Sequence, residues 1–251
     1  GVISGGTSII KNDSGTLILE GNNTYSGSTT INAGTLWITN GGGLGNSSTG
    51  TTVSDGAMLK ISEGITVAEP ITINGSGISS NGAIYFESGN NTYSGAITLG
   101  SNSTITSAAG NQTISGTTDG GYSLSITDAG GHWYHRGVIG GTSAPTSLNI
   151  NGGIVDLYAA VTTSGAIDVL ASDYIYIEGD ITITGSSQNL YFKAVDEINQ
   201  NAISTIQTNG GSVVFWANSD NDREEYDLIK SAEIKTNGGH VWLGGSTLNT
   251  G

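Results

Sequence analysis

Apolar and polar residues alternate along this chain in runs of three to five, each closed by a turn. Thr35-Leu36-Trp37-Ile38, Met58-Leu59-Lys60-Ile61, Ile71-Thr72-Ile73, Ala83-Ile84-Tyr85-Phe86, Ser123-Leu124-Ser125-Ile126 and Ile181-Thr182-Ile183 are examples. A period of two puts alternate side chains on opposite faces of an extended chain, so each run predicts a short strand with one face inward. Asn-Gly, Asp-Gly, Gly-Gly and Ser-Gly recur between the runs and predict tight turns. The strongest helical candidate, Asp222–Lys230, is too short and too acidic to carry a fold.

Short strands with frequent turns fit a sandwich, a propeller or a solenoid. Internal echoes favour the last. Gly-Asn-Asn-Thr-Tyr-Ser-Gly occurs at Gly21–Gly27 and again at Gly89–Gly95. Thr-Asn-Gly-Gly occurs at Thr208–Gly211 and at Thr236–Gly239, each time just before an apolar strand. A solenoid needs such echoes, because every winding presents the same corner to the next and like stacks on like. The expected fold is all-β, a right-handed parallel β-helix of on the order of ten coils, each of roughly 20–25 residues. Asn and Thr at the corners are placed to form side-chain ladders between coils. Tyr25 and Tyr93, at the same place in the two heptapeptides, are expected to cover a corner and to bond through the hydroxyl.

Composition narrows the function. The 251 residues include 41 Gly, 2 Pro and no Cys, with 7 basic against 21 acidic residues and a formal net charge of -14. A nucleic-acid partner needs a basic footprint that this chain lacks. No apolar stretch reaches the ~18 residues of a spanning helix, so direct membrane insertion of this segment is not expected. No signal peptide is visible, and neither end reads as a cap, which suggests a segment of something longer.

The phrase from Gly15-Thr16-Leu17-Ile18-Leu19 through Gly21–Gly27 to Ala33-Gly34-Thr35-Leu36-Trp37-Ile38, continued by Leu44-Gly45, Val53 and Gly56–Ile61, resembles the autotransporter-associated β-strand repeat. The likeness covers roughly residues 11–62, with a degenerate copy near 82–106. Asn209–Asp220 and Ile234–Gly245 resemble the repeats of filamentous-haemagglutinin-type exoproteins, and residues 147–251 fit that pattern. These resemblances divide the chain into autotransporter-type repeats at 1–130, an irregular connector at 131–146 and haemagglutinin-type repeats at 147–251, continuous with the first part. They imply a structural or adhesive segment of a large secreted bacterial surface protein, located at the outer surface, a rigid stalk rather than an enzyme. The implied partners are glycans or proteins of a host or neighbouring cell, with homotypic end-to-end or lateral assembly. A self-assembling filament subunit is the alternative, and a polysaccharide-active enzyme ranks behind both.

Two clusters carry candidate chemistry. His132-Trp133-Tyr134-His135-Arg136 gathers two of the three His and reads as a glycan-binding loop or as packing in the connector. Asp220, Asp222 and Glu224 alternate in the one charge run and are the candidate ligands for calcium. Glu225, however, stands where a calcium loop of the EF-hand type has glycine, and the run reads equally as a solvated loop. No catalytic residue and no other cofactor is expected. A pair such as Asp156 and Asp180 has a spacing that suits stacking one coil apart, as a polysaccharide-active site would require, but paired acids also arise by chance on a rod's outer face.

Overall fold

A computed structural model describes residues 1–129, 131–217, 229–230 and 232–245. It is a parallel β-solenoid of about nine turns, with almost no helix. Each full winding contributes three strands, as in Val161–Thr163, Ile167–Ala171 and Ile175–Ile177, and these lie on three faces of a prism. All the strand pairings among the described residues are parallel and join one winding to the next. On the first face Ile9, Thr29, Thr51, Ile71 and Ile97 fall one above another, and so do Val161, Ile181 and Ile206 farther along. Windings therefore take roughly 20–26 residues, close to the period the echoes predict. The long strand Ile97–Ser107 turns from the first face onto the second, with a register shift between Leu99 and Ser103.

Alternation explains the interior. On Thr35–Ile38, Leu36 and Ile38 are fully buried, while Thr35 and Trp37 face outward. The same phase in each winding builds one continuous core of Ile, Leu and Val along the axis. Aromatics stack in it: Phe192 lies on Phe215 with ring centroids 5.5 Å apart, and Phe86 meets Trp133 edge-on at 6.3 Å. Burial of this apolar surface is the main stabilising term, and the ladders satisfy the backbone as it is buried.

The heptapeptide echo acquires a physical meaning at its corner. Tyr25 and Tyr93 are fully buried. The Tyr25 hydroxyl lies 2.6 Å from Thr29 Oγ1, and the Tyr93 hydroxyl donates to the Glu69 carbonyl at 2.7 Å. The glycine two residues on is needed for close approach: a Cβ on Gly95 would lie 2.1 Å from the Glu69 carbonyl oxygen. The same holds one and two windings later, where a Cβ on Gly116 would meet Gly95 O at 1.9 Å and one on Gly137 would meet Gly116 O at 1.8 Å. Asn23 and Asn91, also equivalent in the echo, are buried and serve the backbone. Asn91 Nδ2 donates to Ser88 O, Gly89 O and Gln112 Oε1, and its Oδ1 accepts from Ile65 N. Asn91→Ala strands those groups, and we expect it to lower stability by about 2 kcal/mol in a chemical unfolding measurement.

The connector expected at 131–146 is only partly irregular. His132–His135 is a regular strand of the third face, paired in register with Gln112–Ile114 and Ile154–Leu157. Ile139 then bridges Thr118 and Val161 on the first face. Among the described residues, no helix is long and apolar enough to cross a membrane.

Candidate functional site

The outer surface differs from face to face. On the first face the outward column near the start of the chain is Thr30, Thr52, Thr72 and Thr98. On the third face the corresponding positions from His132 onward are aromatic, acidic or amide. One column runs Tyr134, Asp156, Tyr176, Asn199 through the paired strands. The next column follows from the corner ladder: Tyr158 N bonds His135 O, Glu178 N bonds Leu157 O and Asn201 N bonds Ile177 O, so Arg136, Tyr158, Glu178 and Asn201 lie in line.

Strand alternation divides the aromatic cluster predicted as a glycan loop. His132 and Tyr134 face outward, half-buried, and Arg136 is exposed at the strand's end. Trp133 and His135 point into the core, at 0 % and 1 % exposure. This corrects the sequence expectation for those two residues, which no surface ligand reaches. The correction was available in principle, since a period-two strand cannot present five consecutive side chains on one side.

The outward members interlock. His132 stacks on Tyr134 with centroids 3.8 Å apart and planes 20° apart. The Arg136 guanidinium sits 4.1 Å from the Tyr158 ring centre and 5.3 Å from that of Tyr134, a cation–π arrangement that fixes a long side chain. Asp156 lies beneath these groups at 4 % exposure, its Oδ2 3.0 Å from His132 Nε2. Burial pushes the Asp156 carboxyl above its ordinary value, opposed by His132, by the Tyr158 hydroxyl and by Arg136. Asp156 is thus a positioning residue, held by and holding three neighbours. Asp156 and Asp180 do not stack as their spacing suggested: the register places Tyr176 next to Asp156, because this winding takes 20 residues.

Two clefts open beside the cluster. One, of about 360 Å³, is lined by Tyr176, Ile177, Glu178, Asn199, Asn201 and Ala202. The other, of about 380 Å³, includes Asn111, His132, Ser172 and Asp173. Asp173 is raised by burial and then by its hydrogen bond to Asp196 in the next winding. Tyr174 stacks on Tyr176 at 5.9 Å. Sequence reasoning missed Tyr158, Tyr174, Tyr176, Glu178 and Asn199 as members of one surface. Tyr174, Tyr176 and Glu178 share one phrase, but Tyr158 and Asn199 lie in others, and only the winding length brings the three phrases together.

A third groove, of about 470 Å³, lies on the second face near the start of the chain. Trp37 and Tyr85 line it with Lys60, which pairs with Glu87 and lies 4.3 Å from the Trp37 ring centre. The calcium candidates Asp220, Asp222 and Glu224 lie outside the described residues. Among the described residues, no group of three or more His, Cys, Asp or Glu is placed to hold a metal ion.

Comparison with known proteins bears on the opening windings. Residues 9–38 match the family model described as the passenger-associated transport repeat. An adhesin, the BmaC autotransporter of Brucella suis biovar 1 (strain 1330), is 46 % identical over 56 residues, which is 22 % of this chain. The matched region spans 2 % of that adhesin's length. No solved structure matches the chain.

Proposed function

We propose that this chain is a segment of the stiff, adhesive stalk of a secreted bacterial surface protein of the autotransporter kind, and that its role is not catalytic. The carrying observation is the passenger-type repeat at residues 9–38 embedded in a solenoid whose windings stack in parallel from Ile9 to beyond Ile206. Stiffness is the mechanism. Each winding bonds to the windings on either side, so bending or nicking the rod requires breaking ladders on three faces together. Similarity to a protein named as an adhesin supports the adhesive part. The likeness of residues 147–251 to haemagglutinin-type repeats belongs to the same proposal, as does exposure at the outer surface. The partners proposed are molecules of another cell's surface.

The test is display of residues 1–251 on a non-adherent Gram-negative host, between an export leader and an outer-membrane barrel. The expected result is a protease-resistant chain at the surface and cells that bind host-cell monolayers better than cells carrying the barrel alone. Surface display without any gain in binding would remove the adhesive role, and a chain cut throughout by protease would remove the stalk.

A further inference from the structure

We propose that the two outward columns of the third face, running from Tyr134 and Arg136 to Asn199 and Asn201, form a track for a linear, uncharged polysaccharide lying parallel to the solenoid axis. The inference rests on the adhesive reading and names its ligand class and site.

Hydrogen-bonding capacity comes first. Asn199 Nδ2 donates one N–H to Glu197 Oε1 at 2.9 Å, which leaves its second N–H to donate and its Oδ1 to accept. Asn201 Oδ1 accepts from Ile203 N at 3.2 Å, which leaves its Nδ2 to donate. Glu178 is exposed and adds acceptors, and the Tyr176 hydroxyl does either. All four groups line the 360 Å³ cleft. Neighbouring hydroxyls of a sugar ring both donate and accept, and this mixed set matches them. Farther up the columns the ring faces of Tyr134 and Tyr158 are occupied by His132 and Arg136. Those rings offer edges and hydroxyls there, held at fixed positions by the buried Asp156.

Spacing comes second. Successive windings lie ~4.8 Å apart, close to the advance of an extended pyranose chain per ring. A glycan along the axis therefore meets one winding per sugar and repeats its contacts in step. Four windings bear the columns, so about four rings fill the track.

Charge and topology exclude the rival occupants. A net charge of -14, with Glu178, Asp173 and Asp196 beside the track, repels uronate, sialylated or phosphorylated chains. A peptide docking by strand addition needs a free sheet edge, and the third-face strands from Gln112 to Gln200 are paired on both sides.

The experiment is binding of the 251-residue chain to arrayed oligosaccharides of two to six rings, neutral glucans, mannans and xylans beside uronate and sialylated chains, followed by calorimetry. We expect at least one neutral series to bind, with affinity rising to four rings and two-ring members about tenfold weaker. Asn199→Ala and Glu178→Ala should each weaken binding about tenfold, with the β-rich circular dichroism unchanged. Tyr191→Ala, outward on the second face, should leave binding as it was. Neutral chains that fail to bind, acidic chains that bind as well, or third-face variants that bind like the parent would each overturn the track. Adhesion of displaying cells with a blank array sinks the track and spares the adhesive reading. Array binding without adhesion sinks the adhesive reading and spares the track.

Discussion

Glu69→Gln should stabilise the protein by about 3 kcal/mol at pH 8 and leave it nearly unchanged at pH 4. Glu69 shares the inward phase of Val67 and is 2 % exposed, with neither carboxylate oxygen making a hydrogen bond of normal geometry. The Gly50 backbone N–H is the one group that partly offsets its burial, and the carboxyl is pushed up to about 7 from 4.5. The folded chain therefore keeps this proton between about pH 4.5 and 7, where the unfolded chain has released it. Its contribution is at its most favourable below pH 4.5, falls as pH rises through that window and is lost above 7. Glutamine copies the protonated form in size and neutrality and does not titrate. Windings touch only their neighbours, so the effect is local. Amide exchange at Val67 and Ser94, with denaturant midpoints, should show the variant's advantage growing between pH 4.5 and 7. An advantage that does not change with pH would show that the buried carboxylate is not the cause.

Nothing in Ala68-Glu69-Pro70 marks this carboxylate as buried, because Glu before Pro reads as a turn at the surface. The register explains it: Val67 pairs with Tyr93, and two residues on Glu69 meets Gly95, the glycine of the echo. Features set by period and local pattern were legible beforehand. The parallel solenoid, the inward Leu36 and Ile38 and the hydroxyl-bonded Tyr25 and Tyr93 all follow from alternation and repetition. Features set by the exact length of a winding were not. Tyr134, Asp156 and Tyr176 become neighbours because one winding takes 22 residues and the next 20. A slip of one residue would turn each to the other side of its strand. The division of His132–Arg136 into an outer and an inner set lies between these cases: the alternation rule held the answer, and reading the run as a connector concealed it.

His135 carries the opposite pH dependence. Its imidazole is buried between Ile114 and Leu157 on the inner side of the third face, and neither ring nitrogen has a hydrogen-bond partner. Burial lowers its pKa from 6.5 to about 4, so the folded chain holds the ring neutral where the unfolded chain protonates it. Its contribution is complete above pH 6.5 and is lost as pH falls toward 4, a change of about 3 kcal/mol. His135→Leu removes the titrating ring and continues the aliphatic column. Taken as a difference from the parent, which cancels the other buried acids, the variant's stability should be constant above pH 6.5 and rise by about 3 kcal/mol by pH 4. Chemical unfolding at half-unit steps of pH reads this directly, and a flat difference down to pH 4 would show that the ring is not held neutral by the core. Glu69 and His135 stand on the same face three windings apart, Glu69 in the winding of Val67 and His135 reached through Tyr93 and Ile114. Acid thus favours one winding at Glu69 as it weakens another at His135, three windings on. Relative to the parent, Glu69→Gln removes a part of the profile that loosens as pH rises toward 7, and His135→Leu a part that loosens in acid.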